Sequence, residues 1–306
     1  MLTFILRRLA SAVPTLFVII TIAFFLMRLA PGGPFDLERP LEAKVMENLN
    51  RIYKLDRPLL EQYWLYLSAL LRGDLGPSFY YRDFSVAELL ARGLPVSIAI
   101  GLSALILALV SGLALGVVAA LRQNAPADYA VTSVATFGIT VPTFVTAPAL
   151  QILFGLTLAW LPVAGWNSGA PANMILPVLT LALPQIAIIA RLTRAAMIEA
   201  LHANHIRTLR AQGLARRTVV LHALRGAMLP VVSYLGPAAA ALLTGSIVVE
   251  TIFGLPGVGR YFVEGALNRD YTLVMGTVVL VAIFVLIFNL LVDISYALLD
   301  PRVRDT

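Results

Sequence analysis

The sequence predicts an all-α membrane protein with six transmembrane helices, and three observations support this prediction. Apolar residues make up 59% of the 306 residues and charged residues only 13%, whereas about a quarter of the residues in a soluble domain are charged. Several stretches long enough to cross a bilayer contain no charged residue. Cysteine is absent, which excludes a disulfide-built secreted fold, and the high apolar content excludes a disordered chain.

The positions of the charge-free runs locate the spans. A bilayer core of about 30 Å is crossed by about 20 apolar residues in a helix. Residues 129–190 form one run too long for a single helix, and turn formers with two tryptophans at 160–171 divide it into two spans. The six predicted spans are residues 9–27, 93–127, about 131–158, about 174–192, 226–249 and 271–292.

The first run allows two interpretations. Arg7 and Arg8 supply the basic segment with which a signal peptide begins. However, the apolar part of a signal peptide has about 7–15 residues and is followed by a small-residue cleavage site. The run 9–27 has 19 residues and continues into Arg28. We therefore expect an uncleaved first transmembrane helix rather than a signal peptide.

The distribution of basic residues predicts the orientation, because cytoplasmic segments of membrane proteins carry excess Lys and Arg. With the N-terminus inside, the inner segments hold 12 of the 23 basic residues and only four acidic residues, whereas the outer segment 28–92 holds nine of each. We therefore expect both termini in the cytoplasm. The basic excess reflects membrane topology, and no nucleic-acid partner is implied. The inner segments are residues 1–8, 122–130, 191–225 and 300–306.

The outer loop, about residues 30–92, is predicted to be largely helical. Apolar residues recur with helical spacing at 41–53 and again at 59–71, where Asp56 is expected to be the N-cap and Pro58 to lie in the first turn. A turn follows at 73–78, and Val86 to Arg92 is predicted to form a short interfacial helix. The loop is interpreted either as a structural cap or as a docking surface for a soluble partner.

The inner loop, about residues 193–225, is rich in arginine and contains a single glycine. We predict one helix over Arg207–Gln212, a stop at Gly213, and a second helix over Ala215–Arg225. We call residues 207–217 the elbow. A basic inner loop is by itself also explained as an orientation signal alone.

The elbow resembles a sequence motif of a known protein family. The stretch Arg207-Thr208-Leu209-Arg210-Ala211-Gln212-Gly213, followed by Ala227-Met228-Leu229-Pro230, is similar to the EAA loop of bacterial ABC import permeases, and its departures from that motif resemble the oligopeptide and dipeptide branch. Similar signatures of that branch occur along nearly the whole chain, at Phe4–Arg8, Met27–Gly32, Gly73–Ser78, Glu250–Gly259 and Asp300–Arg302.

The resemblance implies a type I ABC importer permease fold, a single domain over residues 1–306, in the bacterial inner membrane. It implies a second, homologous permease chain, two ATPase subunits that bind ATP and Mg, and a periplasmic binding protein that delivers oligopeptides. Related permeases import dipeptides, glutathione or nickel. The residues implied to couple the chain to the ATPases are Arg207, Thr208, Arg210, Ala211, Gly213, Leu214, Arg216 and Arg217.

The chain itself has no sequence pattern for ATP hydrolysis. The phosphate loop of such ATPases needs a lysine after a glycine, and the two lysines, Lys44 and Lys54, follow other residues. We therefore expect a transport subunit that is not an enzyme and holds no cofactor. The alternative class is a secondary carrier independent of an ATPase, but such carriers place ionisable groups inside the membrane, and the middles of the six spans have none.

Other polar residues leave alternatives open. Glu199, His202 and His205 lack the spacing of a helical metal site and are expected to be solvated. Glu250 either helps to gate the outer mouth or caps the turn before Gly254. Asp293 either bonds to another helix or faces headgroups. The candidates for the outer face or gate are Asp74, Glu250, Gly254, Pro256 and Gly257.

Two patterns concern the helices themselves. Prolines inside the spans, among them Pro142, either kink helices for a moving gate or are packing features. Small residues are frequent at 97–120 and 235–246. We expect close helix packing there, including packing against a second permease.

Overall fold

The computed structural model describes residues 2–29, 43–81 and 83–299, and the regular structure within these ranges is helical. A π-helical segment, Gln151–Thr157, extends α6, and a 3-10 turn, Asn167–Gly169, precedes α7. The α-helices of the described residues are α1 (Leu2–Leu29), α2 (Ala43–Ile52), α3 (Leu59–Leu71), α4 (Val86–Leu121), α5 (Pro126–Thr140), α6 (Thr143–Leu150), α7 (Pro171–His202), α8 (Asn204–Ala211), α9 (Arg216–Leu243), α10 (Ile247–Ile252), α11 (Val258–Leu267) and α12 (Tyr271–Leu299).

Six apolar spans are confirmed when a bent pair counts as one. Among the described residues, α1, α4, α7, α12 and the stretch of α9 and α10 are long and apolar enough to cross a membrane. The remaining span is the pair formed by α5 and by α6 with its π-helical extension, bent by 103°. The bend lies at Val141-Pro142, where Val141 is extended because the residue before a proline avoids helical geometry.

Close packing of α4 against α7 and α9 forms the centre of the bundle. A Cβ on Gly101 would lie 2.2 Å from the Leu242 carbonyl oxygen of α9, and one on Gly112 would lie 2.7 Å from Cβ of Ile189 in α7. The small residues of α4 are therefore explained by packing inside the chain. The main core cluster includes Ile100, Leu176, Ile189, Val231 and Phe253, all of them buried.

Two helix starts differ from the prediction. The prediction that Asp56 caps the second outer helix is wrong: Pro58 occupies the N-cap position, and no side chain caps α3. Arg57 precedes a proline and so is kept out of the helix. The predicted short helix from Val86 to Arg92 is also not separate. Ser85 and Glu88 form a capping box, and α4 continues past Pro95 to Leu121.

The second inner helix also extends further than predicted. It does not end near Arg225, because α9 continues through Pro230 and Pro237 to Leu243. Proline removes one backbone donor, which a transmembrane helix tolerates when neighbouring groups compensate. The span breaks instead at Gly245, whose φ is +96°, before α10.

The outer side of α1 and α12 packs against α3. Tyr63 of α3 is buried with Phe24 of α1 and Met275 of α12. At the other end, Arg8 and Asp293 form an ion pair of 3.2 Å, so Asp293 bonds to another helix. The helix predicted at 41–53 is present as α2, whereas Leu41, the segment 30–32 and the tail 300–302 lie outside the described residues.

Candidate functional site

The elbow is a helix–turn–helix closed at a glycine. α8 ends with hydrogen bonds from Gly213 N to Arg210 O, 3.0 Å, and from Leu214 N to Leu209 O, 3.3 Å. Gly213 has a φ of +75°. This pair of bonds around a left-handed residue is a Schellman motif, which glycine adopts without steric cost. The stop predicted at Gly213 is confirmed, and α9 begins three residues later.

The elbow is anchored to the rest of the bundle by the buried residue that precedes it, Ile206, and by the partly buried Leu209. Ile206 of α8 has 0% exposure and lies in a cluster with Met197 of α7 and Val219 of α9. The cluster therefore joins the helices on both sides of the turn in one packed unit.

The surface of the elbow is exposed and positively charged. All eight residues predicted to couple the chain to an ATPase lie on it with exposed side chains or backbone, and only Leu209 among 207–217 is partly buried. In the part of the chain that the structure describes, the ion pairs involve Arg8, Arg57, Arg194 and Arg260. None of these lies on the elbow, whose exposed arginines therefore form a positively charged surface.

Glu250 connects α4 to the start of α11, at the end of the bundle opposite to the elbow. Its carboxylate is buried and accepts hydrogen bonds from the Ser97 hydroxyl of α4, 2.6 Å, and from Arg260 N in the first turn of α11, 3.2 Å. The Ser97 oxygen accepts in turn from Val258 N at 2.9 Å. A carboxylate at a helix N-terminus is favourable because the first N–H groups have no partner in the helix.

Four of the residues predicted for the outer face or gate lie close together around Glu250, whereas the fifth, Asp74, lies in a separate turn. A Cβ on Gly257 would lie 2.3 Å from the Glu250 carboxyl carbon, so any other residue at position 257 would displace this hydrogen-bonded carboxylate. The turn before Gly254 is closed by the Glu250 backbone oxygen, which accepts from Leu255 N. Pro256 is exposed beside it. Asp74 instead accepts a hydrogen bond from Gly76 N within its own turn.

Asp270 is a buried junction residue that sequence reasoning did not single out. One carboxylate oxygen accepts from Phe79 N and Tyr80 N of the first outer segment, at 3.0 and 3.1 Å, and from the Ser78 hydroxyl. The other oxygen accepts from Leu273 N in the first turn of α12, 3.0 Å. An Asp immediately before an apolar run is a recognised N-cap signal, so its helix-capping role was predictable.

Helix α11 is tied to the first outer segment by a second set of contacts. The Tyr81 hydroxyl donates to Glu264, which also pairs with Arg260 at 2.7 Å. Burial, together with the hydrogen bond to Glu264, raises the pKa of Tyr81. The hydrogen bond and charge of Glu264 raise the pKa of Arg260. The two outer segments therefore form one connected cap.

A second feature missed from the sequence is a clamp at the end of the bundle that carries the elbow. Arg194 of α7 donates from Nε and a terminal nitrogen to the two carboxylate oxygens of Asp128, at 2.5 and 2.7 Å. Asp128 is buried in the first turn of α5 and also accepts from Asn124 N at 2.9 Å. The partners are 66 residues apart, so no local sequence signal joins them.

The break between α5 and α6 leaves backbone groups without helical partners. Pro142 has no N–H for the Gly138 carbonyl, and no side chain caps the start of α6. Thr140 and Pro142 are exposed. Such a break at membrane depth is stable only inside protein or beside water.

The histidines and acids do not assemble a metal site within residues 2–29, 43–81 and 83–299. His202 is exposed, and its Nδ1 lies 2.7 Å from the Ile198 carbonyl oxygen.

Comparison with known proteins gives matches over almost the whole sequence. A family described as "Binding-protein-dependent transport system inner membrane component" matches residues 112–305, and its N-terminal counterpart matches residues 1–101. The oligopeptide transport system permease protein OppB of Escherichia coli K12 is 53% identical over 99% of this chain and 100% of its own length. The dipeptide permease protein DppB of Bacillus subtilis is 45% identical over 99% of this chain and 98% of its own.

A solved structure matches the fold. A chain of the inward-facing methionine ABC transporter MetNI superposes with a TM-score of 0.55, covering 70% of this chain and 97% of that chain. The sequence identity is 18%, so this similarity concerns the fold alone. It supports the type I importer architecture expected from the sequence.

Proposed function

The chain belongs to the family of binding-protein-dependent transport system inner membrane components, and from this membership we propose that it conducts oligopeptides as one permease subunit of an ATP-driven importer. It is a multi-pass protein of the inner membrane. Its residues 1–306 form a single permease domain with both termini in the cytoplasm. A periplasmic binding protein delivers the peptide, and a second homologous permease chain completes the pathway.

The observation that carries the proposal is the anchored, exposed and basic elbow. ATP and Mg are bound by two partner ATPase subunits, and one of them receives the elbow through Arg207, Thr208, Arg210, Ala211, Gly213, Leu214, Arg216 and Arg217. Ile206 transmits the movement of that ATPase to α7 and α9, because it lies fully buried between them.

The broken span provides the wall of the translocation path. The unpartnered backbone groups around Pro142 require water or a polar partner in the membrane, and transporters place such discontinuous helices at their substrate pathway. Thr140 and Pro142 are exposed on this break. An extended peptide offers amide groups that match these backbone donors and acceptors whatever its side chains.

Glu250 and its neighbours connect the helices that surround the outer mouth of the translocation path. Because Glu250 joins α4 to the first turn of α11, opening of the outer mouth moves α11 together with α4, with Gly254, Pro256 and Gly257 at the junction. Asp74 shapes a separate outer turn. This assignment keeps Glu250 in a positioning role, since all of its described hydrogen bonds are internal.

The cargo is assigned to oligopeptides because the OppB relatives are more similar to this chain than the DppB relatives are. A dipeptide importer is the second candidate, favoured by the 45% identity to DppB of Bacillus subtilis. Competition by unlabelled dipeptides and by longer peptides against uptake of a labelled pentapeptide separates the two.

The test is uptake into vesicles that contain the assembled transporter, with its binding protein and with ATP on the ATPase side. We expect uptake to require ATP and to persist when an ionophore collapses ion gradients. Uptake that stops with the ionophore while ATP remains would instead identify a secondary carrier.

A further inference from the structure

The first outer segment contains a helix whose depth can be measured against its neighbours. Arg8 and Arg28 bound the charge-free part of α1, and 20 residues of helix span about 30 Å, which matches the hydrocarbon core of a bilayer. Asp293 of α12 pairs with Arg8 at 3.2 Å. The Arg28 guanidinium lies 5.4 Å from the ring centre of Tyr271. The two contacts between α1 and α12 therefore mark the same inner and outer boundaries of the membrane core on both helices.

Helix α3 contacts these spans below that outer boundary. The Tyr63 hydroxyl is hydrogen-bonded to the Thr21 hydroxyl at 2.6 Å. Thr21 is seven residues from Arg28 along α1, which corresponds to a depth of about 10 Å. Tyr63 also clusters with Met275 and Val279 of α12, at depths of about 6 to 12 Å below Tyr271.

An adjoining face of α3, about a quarter turn from Tyr63, Tyr66 and Leu70, presents large apolar side chains that are mostly exposed. Leu60, Trp64 and Leu71 are 66%, 64% and 89% exposed. Their spacing of four and eleven residues places them on one face of the helix. Ile22 and Leu26 of α1, between Thr21 and Arg28, are also exposed, so α3 extends the apolar surface that this part of α1 presents to the bilayer.

The charges of α3 are confined to its two ends. Arg57 and Glu61 form an ion pair at the N-terminal end, and Arg72 follows the last residue. Between them the helix has only uncharged residues, including a tryptophan. Charged ends with an apolar, tryptophan-containing middle are typical of a helix that lies in the membrane interface.

We propose that α3 is an interfacial membrane helix whose face of Leu60, Trp64 and Leu71 contacts lipid acyl chains of the outer leaflet. A soluble binding protein does not reach this depth, so the docking surface considered for the outer loop excludes this face of α3. The proposal rests on the membrane location of the chain and stands independently of what is transported.

The cysteine-free sequence allows the test with single nitroxide labels. The tagged chain, with the subunits that accompany it, is reconstituted in vesicles of phosphatidylethanolamine and phosphatidylglycerol. Label is placed at Trp64→Cys, with Leu26→Cys as the lipid-facing control and the exposed Asp83→Cys as the aqueous control. Collision rates with molecular oxygen, which partitions into lipid, and with the polar complex Ni–EDDA are then compared.

We expect the oxygen-to-nickel collision ratio at Trp64→Cys to equal that at Leu26→Cys and to exceed that at Asp83→Cys by about tenfold, since oxygen and polar solutes partition oppositely into hydrocarbon. A ratio like that of Asp83→Cys would place the face in water and overturn the proposal. Low collision rates with both reagents would show contact with another protein and would also overturn it. The same ratio is expected for Leu60→Cys and Leu71→Cys. These variants replace Trp64→Cys if that variant does not fold.

Discussion

At the scale of single residues, Gly213 carries the sharpest constraint on function. Its φ of +75° costs roughly 1–2 kcal/mol for a residue with a side chain, and more for a β-branched one. We expect Gly213→Val to insert normally but to lower peptide uptake per ATP hydrolysed. Gly213→Pro should be more severe, because it also removes the N–H that donates to Arg210.

The matched control for this change is Gly226→Val. Gly226 lies in α9 with no atom within 4 Å of an added Cβ and has no left-handed backbone, so uptake per ATP should be unchanged. Normal coupling in both valine variants would show that Gly213 is not the point at which the motor acts.

The arginines that begin α9 should contribute through long-range charge. Arg216 and Arg217 are exposed, and exposed charge pairs contribute about 0–1 kcal/mol each and are screened by salt. We expect the double change to Gln to weaken ATPase association modestly at low ionic strength and negligibly at high ionic strength. A binding assay over a salt series measures this, and Arg225→Gln, which lies outside the elbow, serves as the control.

The Asp128–Arg194 clamp should matter far more for stability than the other pairs. Asp128 is buried but the Arg194 side chain is 29% exposed, so loss of Arg194 should cost less than the about 3–5 kcal/mol of a fully buried pair and more than the about 0–1 kcal/mol of an exposed one. Arg194→Gln should therefore lower the thermal unfolding midpoint in detergent strongly. Arg57→Gln, which breaks an exposed pair with Glu61, should change it little. Equal shifts for the two variants would contradict the buried character of the clamp.

At the scale of elements, the contact between α4 and α9 depends on the absence of a side chain at Gly101. A Cβ there would lie 2.2 Å from a backbone oxygen of α9, and backbone cannot move aside as a flexible side chain can. We expect Gly101→Ala to separate the two helices and to lower the unfolding midpoint, whereas Gly226→Ala, at an open helical position, should not lower it and should raise it slightly. Retention of the wild-type midpoint by Gly101→Ala would place the helices further apart than described.

The break between α5 and α6 makes a prediction about water. If it lines the peptide pathway, a cysteine at Thr140 should react with a small, charged thiol reagent in the assembled transporter. The exposed position Ile106 of α4, tested as Ile106→Cys, is expected to face lipid and to stay unreactive. Peptide in the pathway should slow the reaction at position 140. If Thr140→Cys transports peptide but does not react with the reagent, the break does not line the pathway. The proposed importer function would be unaffected by that result.

At the scale of the whole molecule, much of the fold was predictable because membrane constraints act locally along the sequence. Charge-free runs located the spans, and the lone glycine of a basic loop located the elbow. The start of α3 was predicted too early, because the restriction that Pro58 places on Arg57 acts against a start at Asp56. The passage of α9 through Pro230 was not predicted, because packing outweighs the local effect of a proline.

The remaining features depend on contacts between distant parts of the sequence. Asp128 and Arg194 are 66 residues apart, and Asp270 reaches Phe79 and Tyr80 across about 190 residues. Asp270 has a local signal only for its capping role, and only the folded chain brings these distant partners together. The depth of α3 likewise follows from its contacts with α1 and α12, whereas its sequence alone indicated only an amphipathic outer helix.

The central claim is that this chain transports peptides only through a motor on other subunits. The most direct test is the native mass of the assembly purified through a tag on this chain in mild detergent. We predict one copy of this chain, one copy of a second permease and two ATPase subunits. A chain that purifies alone or only with copies of itself, in a detergent that keeps a control transporter assembled, would contradict the account.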